Sequence, residues 1–353
     1  MRVLHFIPDI GVSNGVMSFI LNYAAAMPDG IIFDVVYFHE TEKTRRADIE
    51  ALGGRVYKIE RPSPVDLISK KPDALFNEHK GEWDALHIHA PHFAVFIAPA
   101  AKRAGIKKIC VHCHTTEYSL KGSSLRNELL SLYAKYFIKD KFACSDNAAK
   151  LWYGNTDYRI MRNAVDLSKY EFNPKARERV RAELALGNAL TVGHIGKTDI
   201  PQKNHPFILK AFSELVKAEP DSRLLLIGAE PTENLDALSD ELGISEKVIY
   251  LGIRSDIPEL LQALDVFLFP STGEGLPVSL IEAQAASLPV LMSDVITDEV
   301  RVTDFVCALP LSAPLQEWAQ KLTELSEKER KPVTLTDWDI RKHTAELADY
   351  YRK

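Results

Sequence analysis

The sequence predicts an α/β protein built from two doubly wound domains. Three observations carry that expectation: the chain length, a recurring alternation of short apolar runs with amphipathic segments, and a change of pattern near the middle. At 353 residues the chain exceeds one ordinary core and suits two domains of roughly 150 to 200 residues each. In the first half the runs "RVLHFI", "FDVVYF", "RVYKI", "DALHIH", "KKICVH" and "KFACS" are each followed by a helical pattern. Runs of four to six apolar residues without strict alternation suit strands buried on both faces of a parallel sheet. The second half repeats the scheme with "ALTVGHI", "SRLLLIG", "VIYLG", "DVFLFP", "PVLMS" and "FVCALP", separated by helices such as "HPFILKAFSELVKA" and "IPELLQALD".

The boundary falls in "MRNAVDLSKYEFNPKARERV", where the strand pattern stops and polar, Pro-containing sequence takes over. The expected division is residues 1–166 and 167–336, with residues 337–353 as one more amphipathic helix returning to the first domain. In open α/β sheets ligands bind beyond the carboxyl ends of the strands. The residues that follow each strand, and a cleft between the two domains, are therefore where to look.

Composition narrows the function classes. Apolar and charged fractions of 46% and 26% are those of a globular protein, and a formal charge of −6 argues against a broad nucleic-acid surface. No apolar stretch approaches the roughly 20 residues of a bilayer span, and the N-terminus has no cleavage signature, so a cytoplasmic protein is expected. The "CVHCH" of Cys110 and Cys113 satisfies a haem-attachment spelling, but it ends a β-patterned run and reads as buried strand thiols. "DWD" at Asp337–Asp339 has the spelling of a metal-holding D-x-D. It opens a terminal helix, so Asp337 is read as an N-cap and no metal site or other cofactor is expected.

Chemistry concentrates in four segments. In "STGEGLPVSLIEAQ", Glu274 lies in the loop before a helix that starts near Pro277, and Glu282 lies roughly 7 to 8 Å further along its axis. The free N–H groups near Leu276, Val278 and Ser279 would lie between the two carboxylates and form an anion site. An extended ligand with hydroxyls at both ends and phosphates in the middle fits that layout, as a sugar nucleotide does. In "VGHIGKTDIPQKNHPFI", a strand ending in Gly193 and Gly196 delivers Lys197 and Lys203, which can neutralise a diphosphate; the Walker A spelling is absent.

The third segment group is the first domain's loops: "PDIGVSNGVMSFI", "HIHAPHF" and "HCHTTEY". His89 and His114 stand at strand ends, where an imidazole can bond a sugar or phosphate. The fourth, spanning residues 121–142, carries Arg126, Lys135, Lys139 and Lys141 beside Leu and Tyr residues. It reads as a solvated helix face, with a peripheral contact to an anionic membrane surface as the alternative.

Together these segments resemble the family-4 retaining glycosyltransferases with the GT-B fold, two Rossmann-like domains facing across a cleft. The resemblance covers nearly the whole chain and is most specific at "EGLPVSLIE", which fits that family's E-x7-E motif. It implies that Glu274 contacts donor-sugar hydroxyls, that the backbone at Gly275, Leu276, Pro277 and Val278 approaches sugar and phosphate, and that Glu282 binds the ribose. "HIGKTDIPQKNH" is similar to the diphosphate loop, with Lys203 at its lysine and Lys197 where arginine is usual, so charge is kept without the bidentate fork.

"NGVMSFI" stands where the family has a glycine pair near the donor phosphate, here Asn14 and Gly15. "HCHTT" brings the histidine placed beside the transferring sugar, here His114, and "GIRSDIPELL", with Arg254, matches the loop that reads the base. "RNAVD" matches an interdomain asparagine segment, and His89 and Tyr118 fall on the acceptor side. The implied reaction is transfer of a hexosyl group from a nucleoside-diphosphate sugar, UDP-linked, to a glycan or lipid-linked acceptor in bacterial polysaccharide assembly. The implied setting is metal-independent and cytoplasmic, peripheral at the inner membrane face. The residues alone also admit a nucleotide-sugar epimerase, a glycoside hydrolase using Glu274 and Glu282, and a noncatalytic sugar-nucleotide-binding protein.

Overall fold

A computed structural model of the chain describes residues 1–12, 14–115, 118, 124–274 and 276–353. It divides into two compact units, Met1–Val165 together with Asp337–Lys353, and Asp166–Thr336.

The first unit holds a seven-stranded sheet made of β1 (Arg2–Phe6), β2 (Ile32–Tyr37), β3 (Val56–Lys58), β4 (Ala85–Ile88), β5 (Lys108–Cys113), β6 (Asp140–Ala143) and β7 (Arg159–Ile160). The order is β3-β2-β1-β4-β5-β6-β7 and every pairing is parallel, so each connection needs a crossover. The two-residue β7 has no counterpart among the apolar runs, because "DYRI" carries charge where a buried strand would carry Val or Leu. It pairs only with β6, at the sheet edge, where polar residues are tolerated.

After the second unit the chain returns to the first through the helix Ile340–Arg352, which buries Leu347, Ala348, Tyr350 and Tyr351 in the same core as Phe33 and Val35. The N-cap of this helix is Asp339, whose Oδ1 accepts from the Arg341 N–H at 2.9 Å, and not Asp337 as the spacing suggested. A 3-10 turn over Thr336–Trp338 precedes the helix and displaces the cap by two residues, leaving Asp337 paired with Lys342 at 2.7 Å. Cys110, Cys113 and Cys144 are buried.

A column of imidazoles runs through the centre of the first sheet. His5, His87 and His112 are fully buried on β1, β4 and β5, and His89 and His114 follow on the same faces, since alternate residues of a strand share a face. His87 and His89 stack at 4.3 Å, and His112 and His114 lie 4.0 Å apart. His5 Nδ1 meets His89 Nε2 at 2.9 Å, His89 Nδ1 meets His114 Nε2 at 2.9 Å, and His114 Nδ1 meets Asn163 Oδ1 at 3.3 Å. Asn163 Oδ1 can only accept, so each Nδ1–H donates to the next residue and each Nε2 accepts. The chain ends at His5 Nε2, a buried acceptor without a partner. The opposite polarity would bury an orphan N–H donor there, the rarer and costlier case.

The second unit holds β8 (Thr191–Ile195), β9 (Arg223–Ile227), β10 (Val248–Gly252), β11 (Val266–Phe269), β12 (Val290–Ser293) and β13 (Val306–Leu309), again all parallel, in the order β10-β9-β8-β11-β12-β13. Val192, Leu224, Leu226, Val266, Leu268 and Leu291 from the strands pack with Phe212, Trp318 and Leu322 from the helices His205–Ala218 and Leu315–Ser326. Gly193 lies within β8 and not after it. A Cβ there would come 2.1 Å from Leu264 Cδ1, so close packing fixes glycine at this position.

Both units reverse strand order once, between β1 and β4 and between β8 and β11. The loops after β8 and β11 therefore diverge from neighbouring strand ends, which opens a crevice at the carboxyl edge.

Burial holds the histidines neutral: His5 is pushed down to about 3, and His92 and His114 to about 4, against an ordinary value of 6.5. Their folded values lie below their unfolded ones, so the stability they contribute is complete above pH ~6.5 and is lost as the pH falls towards 4. Each such histidine then costs about 1.4 kcal/mol per pH unit in that window. Urea midpoints of the first unit's unfolding should fall steeply between pH 7 and pH 5, and a constant midpoint over that range would contradict a neutral column. Gly193→Ala should lower stability by about 1 to 3 kcal/mol through overpacking, read as a shifted urea midpoint.

Candidate functional site

The β8/β11 crevice is built from two loops tied to each other. His194, buried on β8, bonds the Leu268 carbonyl of β11 through Nδ1 at 2.9 Å. After β8 the chain passes Gly196 and Lys197 and turns through the 3-10 helix Pro201–Lys203. Asn204 then takes a left-handed conformation, φ 59°, and its Nδ2 donates to the Pro270 carbonyl of the second loop at 3.1 Å. Thr272 N–H donates back to the Gln202 carbonyl at 2.9 Å. A Cβ on Gly196 would lie 2.6 Å from His194 Nε2 and 2.9 Å from the Lys203 stem. Glycine at 196 is what lets Lys203 lie across the strand end.

This stitching brings Lys203 and Glu274 together. Lys203 Nζ lies 2.8 Å from Glu274 Oε1 and 4.8 Å from the centre of the Phe269 ring, and Ser271 Oγ donates to the same carboxylate oxygen at 3.3 Å. The Lys203 and Glu274 side chains are only 15% and 20% exposed, so their attraction is screened less than that of a surface pair. Lys197, half-buried, follows Gly196 on the same loop.

Beyond Glu274, the helix Val278–Ala285 starts after Pro277, which adopts the extended conformation of a cap (φ −70°, ψ 110°). No side chain caps this helix; in its first turn the Leu280 N–H donates to the Pro277 carbonyl at 3.2 Å, and the N–H groups of Val278 and Ser279 precede it. Leu276 is buried beside them, and Gly275 lies outside the described residues.

Glu282 lies inside that helix, and its Oε1 accepts from the Tyr170 hydroxyl at 2.7 Å. Burial pushes the Glu282 carboxyl above its ordinary value, and the tyrosine hydrogen bond opposes that shift. Sequence reasoning missed Tyr170, which sits in the segment read as a domain boundary. A lone tyrosine in polar sequence gives no signal of a partner 112 residues away. Arg254 follows β10 and forms an exposed two-point ion pair with Asp256, Nε to Oδ1 at 2.8 Å.

The residues expected in the first unit take up other contacts. Asn14 caps the helix Gly15–Ala26, its Oδ1 accepting from Val16 N–H at 2.9 Å and Met17 N–H at 3.3 Å, while its Nδ2 donates to the Asp9 carbonyl. Gly15 looks onto open space, so nothing in the packing demands glycine there. The nitrogens of His89 and His114 are all engaged inside the column described above. This corrects the picture of two strand-end imidazoles with free polar atoms: their rings form a hydrogen-bonded chain. Tyr118 donates to the Leu151 carbonyl at 2.7 Å and packs edge-on against Trp152.

Two groups of three histidines, His5, His87 and His89, and His89, His112 and His114, bring ring nitrogens within 4.8 Å of one another. Their rings stack, and two of the nitrogen contacts, His5 with His89 and His89 with His114, are hydrogen bonds.

The segment at 121–142 also differs from expectation. Its helix Ser124–Phe137 turns Asn127, Ser131 and Ala134 inward and leaves Leu125, Leu129, Leu132, Tyr136 and Phe137 exposed. Four of these recur at i, i+4, i+7 and i+11, so the outer face is an apolar stripe and not a solvated polar one. Residues 121–123 lie outside the described set. Among the described residues no helix is long and apolar enough to cross a membrane.

Comparison with known proteins bears on both units. The family described as glycosyl transferases group 1 matches residues 189–328, which span β8 to β13 and the whole β8/β11 crevice. The putative glycosyltransferase EpsF of Bacillus subtilis is 28% identical over 337 residues, 91% of this chain and 86% of that protein. A UDP-Gal:alpha-D-GlcNAc-diphosphoundecaprenol alpha-1,3-galactosyltransferase of Escherichia coli is 28% identical over 61% of this chain and 59% of its own length. In fold, the crystal structure of Anabaena Alr3699/HepE in complex with UDP and glucose superposes with a TM-score of 0.74, at 17% identity, over 99% of this chain and 94% of that one. These matches and the two parallel sheets agree on a glycosyltransferase of the GT-B fold, similar over residues 189–328 to the glycosyl transferases of group 1.

Proposed function

We propose that the chain transfers a hexosyl group from a nucleoside-diphosphate sugar, UDP-linked, to a glycan or lipid-linked acceptor with retention at the anomeric carbon. The observation that carries this reading is the Lys203–Glu274 contact beside an uncapped helix start. A cation and open N–H groups suit a diphosphate, and a carboxylate pointed at the same place suits sugar hydroxyls. The names of relatives support the donor and acceptor classes: one acts on a diphosphoundecaprenol-linked sugar, and the HepE structures hold UDP, glucose or UDP-glucose.

In this reading the anomeric C–O bond to the diphosphate breaks while an acceptor oxygen bonds the same carbon from the same face. The acceptor's proton passes to the departing phosphate oxygen. Lys203, Lys197 and the helix start at Val278 stabilise the charge that grows on the diphosphate. Their effect is largest in the transition state, because that is where the leaving group becomes most negative. Glu274 orients the hexose through its hydroxyls, Glu282 holds the ribose, and the loop carrying Arg254 lies against the base. Gly15, at the start of a helix in the first unit, approaches the donor phosphate through its main-chain N–H, and Asn14 shapes that approach, its N–H donating to the Gly11 carbonyl at 3.0 Å and its side chain capping the helix. His114, with Asn163 and His89 fixing its ring, lines the place of the transferring sugar, and His89 and Tyr118 shape the acceptor side. No cofactor or metal takes part.

The apolar stripe on Ser124–Phe137, with Lys135 and Lys139 nearby, is where we place peripheral contact with an anionic membrane, at its cytoplasmic face. A lipid-linked acceptor would be met there.

Lys203→Ala should weaken UDP binding by about 10- to 100-fold, the worth of a charge-assisted contact to phosphate, as read by calorimetry. Glu274→Ala should lower kcat by about 100-fold or more with a smaller change in UDP affinity. Unchanged transfer in both would remove the site assignment. For the membrane contact, Leu129→Asp combined with Phe137→Asp should abolish co-sedimentation with vesicles of anionic phospholipid while UDP affinity stays at its wild-type value. Full retention on the vesicles would exclude this helix.

A further inference from the structure

We infer that Tyr170 is a positioning residue for nucleoside recognition: its hydroxyl fixes one oxygen of Glu282 so that the other is presented to the ribose of the donor. The inference rests on the donor site proposed above and adds a residue to it.

Tyr170 lies on the turn that follows the 3-10 helix Leu167–Lys169, at the start of the second unit. Its side chain is buried, 8% exposed, and its hydroxyl donates to Glu282 Oε1 at 2.7 Å. Among the described residues no other hydrogen bond reaches the Glu282 carboxylate. A carboxylate accepts about four hydrogen bonds and the tyrosine takes one, which leaves Oε2 whole. Glu282 is half-buried, and its Oε2 is not among the fully buried side-chain atoms that lack a partner. Without the tyrosine, the carboxylate would be free to turn about its last torsion, which is broad and roughly two-fold.

The tyrosine is itself held. Gln262, fully buried on the helix Ile257–Ala263, accepts from Asn173 N–H at 3.0 Å and donates to the Tyr170 carbonyl at 3.4 Å, so one side chain clasps both ends of Tyr170–Asn173. Arg330 lies over the Phe172 ring at 4.1 Å between them. Its guanidinium donates to the Gln262 carbonyl at 3.0 Å and to Ala286, the residue ending the Glu282 helix, at 3.2 Å. The helix that follows Arg254 and the helix that carries Glu282 are thus locked to one segment, and Tyr170 is the side chain through which that segment reaches the ribose carboxylate. Removing the hydroxyl leaves the ring and this framework in place.

The test is a double-mutant cycle with a ribose-sensitive probe. Affinities for UDP and for 2′,3′-dideoxy-UDP are measured by calorimetry on the full chain, on Tyr170→Phe, on Glu282→Gln and on the double variant, with GDP and its dideoxy analogue in parallel in case GDP is the nucleotide bound. Tyr170→Phe should weaken UDP about 5-fold and leave dideoxy-UDP unchanged. Glu282→Gln should bring the two affinities together, and adding Tyr170→Phe to it should cost nothing more. In turnover, Tyr170→Phe should raise the donor KM by about the same factor with kcat within about 2-fold of wild type. The inference is overturned if Tyr170→Phe keeps the wild-type ratio of the two affinities, or weakens UDP equally on the Glu282→Gln background. A wild-type ratio in Glu282→Gln itself would instead remove the ribose assignment, and with it the donor site as drawn.

Discussion

The parallel pairing of β8 with β11 is the constraint on which the second unit's chemistry depends. Val266 pairs with Val192 and Phe267 with Gly193, so the two strands end side by side while their loops leave toward opposite halves of the sheet. That pairing sets Lys203, eight residues beyond β8, against Glu274, five residues beyond β11. Two glycines are the local requirements: Gly193 admits Leu264 against the strand, and Gly196 admits the Lys203 stem. The left-handed Asn204 and its bond to Pro270 then lock the loops together. A site organised in this way holds charge ready for a ligand and does not assemble it on binding, which is the arrangement that stabilises a leaving group most effectively.

The first unit solves a different physical problem. Its sheet centre carries imidazoles where a parallel sheet would ordinarily carry Val or Ile, and it keeps them neutral by burial and by donating each N–H to a neighbour. The single amide of Asn163 sets the tautomer of three rings, because its oxygen can only accept. His114 is thereby fixed in orientation at the carboxyl edge of the sheet.

Much of the fold could be read from the sequence because its strands are continuous apolar runs and its helices amphipathic. The exceptions are instructive. β7 is two residues of mixed polarity, which no apolar pattern marks, and the terminal helix starts two residues later than "DWD" suggested because a 3-10 turn intervenes. Within the site, the spacing of Glu274 and Glu282 about a helix start and the lysines after a strand were legible, since both are local. That Lys203 touches Glu274, that Tyr170 reaches Glu282, and that His5 terminates a chain begun at Asn163 were not legible. Each depends on which strands are neighbours in the sheet, a non-local property that periodicity does not encode. The exposed leucines of Ser124–Phe137 failed in the opposite sense: the structure buries Asn127 and Ser131 and leaves Leu125, Leu129 and Leu132 exposed.

The central claim, that a nucleoside diphosphate occupies the β8/β11 crevice, is tested most directly by amide hydrogen exchange of the whole chain with and without saturating UDP, with GDP in a parallel arm. The account predicts that one of the two nucleotides slows exchange in peptides covering both 196–204 and 274–285. Protection absent from these segments with either nucleotide, or confined to other parts of the chain, would contradict it.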